Sequence, residues 1–193
     1  SVPHSIACAI AAAQGLLPPK PEGKEFVHFP FSDNRVDSNG ILRKEPDDKD
    51  EIEFELSEPG GENIIEIDGE SFNAHFYSKC TANGVSLELG ETIYLLPDEK
   101  DEVCEIAIVN GFYRNEENGE NFVDIRWCFR PEHLTIASPC SLCPQEIFPT
   151  RGATDIVSLD QFEGKCKLTA LDADADTTGL TFTPHSYYYR YHF

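Results

Sequence analysis

The chain has 193 residues and carries 35 acidic side chains against 15 basic ones, which gives a formal net charge of −20 at pH 7. A groove that follows a phosphate backbone needs clustered Lys and Arg, so direct sequence-specific binding of nucleic acid is not expected. The acidic surface would instead attract a basic protein segment. The apolar stretch at residues 5–14 is too short to span a bilayer, so the sequence predicts no membrane association.

Residues 1–70 are predicted to form an acidic N-terminal extension of unknown role. A short Ala-rich helix is expected near the start, and the proline-rich run at 17–21 ends it. Residues 51–56 alternate apolar side chains with three glutamates, which is typical of a strand with one wet face. A turn at 59–61 and a second strand from Ile64 to Ile67 would complete an acidic hairpin, whose charges discourage further pairing.

From Phe72 onward the strand signal is continuous, and turn residues such as Asn83-Gly84 separate the segments. Short strands at this spacing indicate a mainly β fold, either a small barrel or a sandwich. The predicted strands are His75–Cys80, Val85–Leu87, Thr92–Leu96, Glu105–Tyr113, Phe122–Phe129, Glu146–Phe148, Cys166–Ala170 and Ser186–Phe193.

The segment from Arg126 to Leu134 is the most informative one. Apolar residues alternate with polar ones up to Trp127, as in a half-buried strand, and Pro131 then ends it. Trp127 and Phe129 are therefore expected at the mouth of this strand, near the surface. Aromatic side chains in such a place form either the rim of a core or a recognition surface.

An ordered series of motifs over residues 71–193 resembles the bromo-adjacent homology (BAH) domain, most closely in style those of eukaryotic cytosine-5 DNA methyltransferases. The motifs are LELGETIYL (87–95), EIAIV (105–109), WCFRPE (127–132), QEIF (145–148), FEGKCKL (162–168) and SYYYR (186–190). The resemblance implies a distorted β-barrel-like core in a nuclear chromatin protein, without catalysis of its own. It implies that any catalytic domain of a methyltransferase parent lies outside this chain.

Several BAH domains read methylated lysine through an aromatic cage, in which ring faces surround the ammonium. The resemblance places Trp127 and Phe129 at two cage positions, with Glu105 where a third aromatic would stand. A carboxylate pairs with an ammonium that keeps a proton, so unmodified or lower-methylated lysine should bind at least as well as trimethyl-lysine. The alternative is that both aromatics are structural.

Four candidate metal ligands lie within sixteen residues: Cys128, His133, Cys140 and Cys143. A Cys3His set is one that zinc takes in closed tetrahedral sites, and some methyltransferase BAH domains are similar in carrying such a zinc. The sequence therefore predicts a possible structural zinc. Cys80 or His75 are alternative ligands, and Cys128 is alternatively a core residue.

Two functions remain open at this point. The first is a chromatin-associated module that binds a histone tail or nucleosomal surface through Trp127 and Phe129. The second is a regulatory scaffold that packs against a catalytic or replication partner and has no peptide pocket.

Overall fold

The computed structural model describes residues 53–96, 103–134, 145–177, 183 and 185–190. The helix predicted near the start of the chain lies outside these residues. Within these ranges nine strands join in one sheet: β1 (Phe54–Ile67), β2 (Glu70–Ala82), β3 (Val85–Glu88), β4 (Thr92–Leu95), β5 (Glu105–Asn115), β6 (Asn121–Phe129), β7 (Phe148–Ser158), β8 (Phe162–Ala170) and β9 (Ser186–Tyr189). The prediction of a mainly β fold is confirmed.

Strand β5 is the centre of the sheet. One of its edges pairs with β6 over nearly its whole length. Its other edge is shared, because β4 pairs with the first four residues and β2 pairs with the last four. The path then continues from β4 to β8 and, by a parallel pairing, to β9, while β3 adds to β2 and β7 adds to β6.

The acidic hairpin differs from its prediction. β1 is one long strand, and the segment between Pro59 and Glu62 is a shift of register within it and not a turn. The chain reverses at Asp68 and Gly69, which have positive φ angles of 53° and 84° and so suit a tight hairpin turn. The predicted domain boundary at residues 70 and 71 falls next to this turn, and β1 is paired with β2 across it.

Strand β7 was largely missed, since only residues up to Phe148 were predicted to be extended. Its length comes from pairing with β6, from Phe148 opposite Phe129 to Ser158 opposite Phe122. Its own sequence carries Arg151, Gly152, Thr154 and Asp155, which give no clear alternation. Tertiary pairing therefore overrides a weak local signal here.

The middle of the sheet is buried on both faces. All four residues of β4 are buried, with Ile93 and Leu95 in one apolar cluster and Tyr94 in another. On β6, Val123, Ile125, Trp127 and Phe129 belong to the first cluster, and Cys128 belongs to the second. We call these the first face and the second face. The predicted wet face of β6 is correct only near its start, where Asp124 and Arg126 are half-buried.

The buried charged side chains of Glu146 and Lys165 have close partners. The carboxylate of Glu146 accepts two hydrogen bonds from Arg190, from Nε and Nη2, each at 2.8 Å. Lys165 donates to the carbonyl oxygen of Ser86 at 3.0 Å and contacts the carboxylate of Glu91. Buried charges are tolerated when they are paired in this way.

The ring of Phe76 lies between two glycines on the neighbouring strands. A Cβ on Gly60 of β1 would lie 2.6 Å from this ring, and one on Gly111 of β5 would lie 2.5 Å from it. Each glycine sits at a shift of register. The missing side chains therefore make room for an aromatic ring that pairs edge-on with Tyr113.

We expect Gly111→Ala to lower the free energy of unfolding by about 1–3 kcal/mol, because the new methyl group overlaps the Phe76 ring. Denaturant unfolding measures this. Gly152→Ala is the matched control, because a Cβ there meets nothing within 4 Å. The double variant Gly111→Ala with Phe76→Leu should show less overlap at this position, so its destabilisation should be smaller than the sum of the two separate values. Equal stability of Gly111→Ala and Gly152→Ala would contradict the packing.

Arg190→Gln should destabilise the fold by about 3 kcal/mol, since it leaves the buried Glu146 carboxylate without its fork-like partner. The double variant with Glu146→Gln should be less destabilised than Arg190→Gln alone. A double-mutant cycle measures this coupling. The exposed pair of Lys79 and Glu88, 2.9 Å apart, provides a control whose removal should have little effect.

Candidate partner-binding site

Trp127 and Phe129 are core residues in this structure. Their side chains are 6% and 5% exposed, and both pack in the first-face cluster together with Leu134 and Phe148. The prediction that they lie near the surface is therefore corrected. Pro131 does end the strand, but the chain continues into a 3-10 turn at Pro131–His133, and Leu134 directly after this turn packs in the same cluster as both rings.

Glu105 does share a face with the two aromatics. Ala107 pairs directly with Trp127, and Glu105 lies two residues earlier on the same strand. Side chains two residues apart point to the same side of a strand. Glu105 is half-buried at the start of β5. The three predicted residues thus come from one region, but the two rings present no open face to a ligand.

The second face holds an aromatic group that the sequence analysis did not single out. The hydroxyl of Tyr94 donates to the hydroxyl of Tyr187 at 2.9 Å and lies 3.3 Å from Nδ1 of His185. The guanidinium of Arg130 stacks over the Tyr187 ring at 5.4 Å and donates to the carbonyl oxygen of Cys104 at 3.2 Å. In the sequence these residues lie in motifs that supported only the family resemblance. Their mutual contacts could not be predicted, because they join strands far apart in sequence.

This group closes the second face and does not form an open pocket. Tyr94 and Tyr187 are almost completely buried, and burial raises the pKa of both phenols, so they stay neutral. Arg130, which precedes the proline that ends β6, has a structural role, because it links the Tyr187 ring to the backbone at Cys104.

The predicted zinc ligands are only partly described, because Cys140 and Cys143 lie outside the described residues. Cys128 packs in the second-face cluster, and burial raises the pKa of its thiol to about 12. Zinc binds the thiolate, which this environment disfavours. His133 instead packs edge-on against Phe129, a first-face residue. The two described members thus contact different apolar clusters, and the zinc site stays a prediction.

Five exposed carboxylates lie around one end of the sheet. The pairing of Ala74 with Asn115 brings the distal part of the β1–β2 hairpin beside the turn between β5 and β6. We call this region the acidic end and define it by five exposed residues: Glu62, Glu66, Glu116, Glu117 and Glu120.

A shallow depression of about 320 Å³ adjoins the acidic end. Asn121 is one of its lining residues, and the side-chain oxygen of Asn121 is buried and has no hydrogen-bond partner among the described residues. Its lining is Gly119, Glu120, Asn121, Phe122, Ser158 and Asp160. Two carboxylates and a free acceptor suit a group that donates hydrogen bonds and carries positive charge.

A sequence model of the BAH domain family matches residues 85–193, which is more than half of the chain. The chain belongs to the BAH domain family. This family consists of chromatin-associated protein-interaction modules that are generally non-catalytic. The matched part contains β3 to β9, whereas β1 and β2 precede it.

The crystal structure of the yeast Rsc2 BAH domain is similar to this chain, with a TM-score of 0.44 and 14% sequence identity. The similarity covers 60% of this chain and 50% of that one, so the chain spans about half the length of that structure. No curated protein matches the chain. No helix in the described part of this BAH protein is long and apolar enough to cross a membrane.

Trp127 is the only tryptophan of the chain, so its fluorescence reports this position alone. We expect blue-shifted emission and weak quenching by acrylamide, because the ring is buried. Trp127→Ala should lower the free energy of unfolding by about 3–5 kcal/mol, as for other buried aromatics.

Trp127→Phe is the conservative control and should cost less stability, since it keeps an aromatic ring in the core. Emission typical of a water-exposed indole, with full quenching, would restore the surface placement.

Proposed function

We propose that this BAH domain is a non-catalytic, nuclear, chromatin-associated module that binds a basic protein segment, with a histone tail as the partner. Membership of the family supports the general role. The observation that carries the basic partner is charge, since the chain has a formal net charge of −20. Complementary charge accelerates encounter and selects among partners.

The acidic end and its depression are the proposed contact surface. A lysine or arginine side chain of the partner would enter the depression and donate to Asn121, with Glu120 and Asp160 balancing its charge. This surface differs from the predicted one at Trp127 and Phe129. The burial of those two rings argues against an aromatic cage as the entry point.

A second function is supported by the same burial. If Trp127 and Phe129 serve only the core, the domain has no peptide pocket at the cage positions. It would then act as a regulatory scaffold that packs against a catalytic or replication partner, for example within a DNA methyltransferase.

Fluorescence anisotropy with labelled histone-tail peptides distinguishes the two functions. We expect binding that weakens as salt is added, because exposed charges are screened. Unmodified and lower-methylated lysine should bind at least as tightly as trimethyl-lysine, since the buried rings of Trp127 and Phe129 offer no open face to the quaternary ammonium. Glu120→Gln with Asp160→Asn should weaken binding severalfold.

The matched control is Glu55→Gln with Asp174→Asn, which removes the same charge from exposed positions outside the acidic end. It should leave peptide affinity nearly unchanged. Absence of binding to every peptide would favour the scaffold. Equal losses in both double variants would assign the attraction to net charge and not to the depression.

A further inference from the structure

We propose that Glu62, His75 and Glu116 form a binding site for a divalent transition metal, with Zn²⁺ as the test ion. Their ligand atoms all lie within 4.8 Å of one another. An imidazole nitrogen and two carboxylate oxygens are ligands that zinc accepts, and they leave a fourth position for water. His75 was an alternative ligand in the cysteine-containing set predicted from the sequence, whereas Glu62 and Glu116 were not part of that prediction.

Three separate chain segments bring these side chains together. Glu62 on β1 is paired directly with His75 on β2, and side chains in such a pair lie side by side. Glu116 follows β5, and its backbone N–H donates to the carbonyl oxygen of Asn73, which fixes the turn against β2 at 3.2 Å. The site is thus assembled by the sheet and does not depend on one flexible loop.

The ligand atoms lie close enough for side-chain rotation to seat a metal. Nε2 of His75 lies 2.9 Å from Oε1 of Glu116, and all three ligand atoms lie within 4.8 Å of one another. Zinc bonds of about 2.0–2.2 Å hold neighbouring ligand atoms roughly 3–3.5 Å apart, so the His75–Glu116 pair would open slightly and any wider pair would close. Glu62 and Glu116 are exposed and His75 is half-buried, so ions can reach the site from solvent.

Arg114 on β5 is paired with His75 across the other edge of β2 and is a positive charge beside the site. Its guanidinium nitrogen Nη2 would lie 3.6 Å from a Cβ on Gly119, so the side chain extends toward the turn after β5. Glu117 and Glu120 follow Glu116 in the same turn, and their negative charge favours a cation. The metal would join the β1–β2 hairpin, which precedes the part matched by the family, to the turn between β5 and β6.

Isothermal titration of the metal-free 193-residue chain with Zn²⁺ tests the site. Because Cys140 and Cys143 are themselves thiol ligands, the titration is done in a Cys140→Ser, Cys143→Ser background. We expect roughly one ion per chain, and His75→Gln should weaken affinity by about tenfold or more, as should Glu62→Gln and Glu116→Gln. Arg114→Gln should tighten binding, because it removes a competing cation.

Glu66→Gln and Glu117→Gln are matched controls that remove the same charge beside the site. They should change affinity far less than the ligand variants. Thermal melts provide a second readout, since Zn²⁺ should raise the melting temperature of the control variants but not of His75→Gln. Without metal, all variants should melt near the parent. Failure to bind Zn²⁺ in this background, or equal losses in ligand and control variants, would overturn the site.

Discussion

The whole arrangement depends on the hydrogen bonding of β5 along both of its edges. One strand cannot pair with two neighbours at the same place, so β2 and β4 divide its second edge between them. That division sends β2 and its hairpin toward one end of the sheet and β4 with β8 toward the other. The acidic end and the buried middle are both consequences of it.

The central position of β5 also leaves the middle of the sheet buried on both faces, which explains why the aromatic side chains there are buried. A strand in the middle of a sheet alternates its side chains between two apolar clusters, so neither Trp127 on one side nor Tyr94 on the other remains at a surface. In this BAH domain the two rings at the predicted cage positions, Trp127 and Phe129, therefore pack in the core. The partner surface that we propose lies instead at the end of the sheet, where carboxylates are exposed.

The sequence was informative wherever local chemistry determines structure. Alternation and turn residues located seven of the nine strands among the described residues, β1 was predicted as two strands, and Pro131 marked the end of β6. Strand β7 was mostly missed because its extended form comes from pairing with β6. Glu62, His75 and Glu116 could not be grouped from sequence, since their proximity is set by strand register. The exposure of Trp127 was misjudged because alternation identifies a face but not what covers it.

The position of β9 has a consequence for how the protein is made. Tyr187 helps close the second face, and Arg190 neutralises the buried Glu146, yet both lie near residue 190. Strand β9 also pairs in parallel with β8, which has to be in place first. Pairings between distant segments form slowly, because the entropy cost of closing the intervening loop comes before the new contacts stabilise the structure. During synthesis, the second face is therefore expected to stay open until Tyr187 and Arg190 have emerged from the ribosome, and until then its apolar surface is available to chaperones.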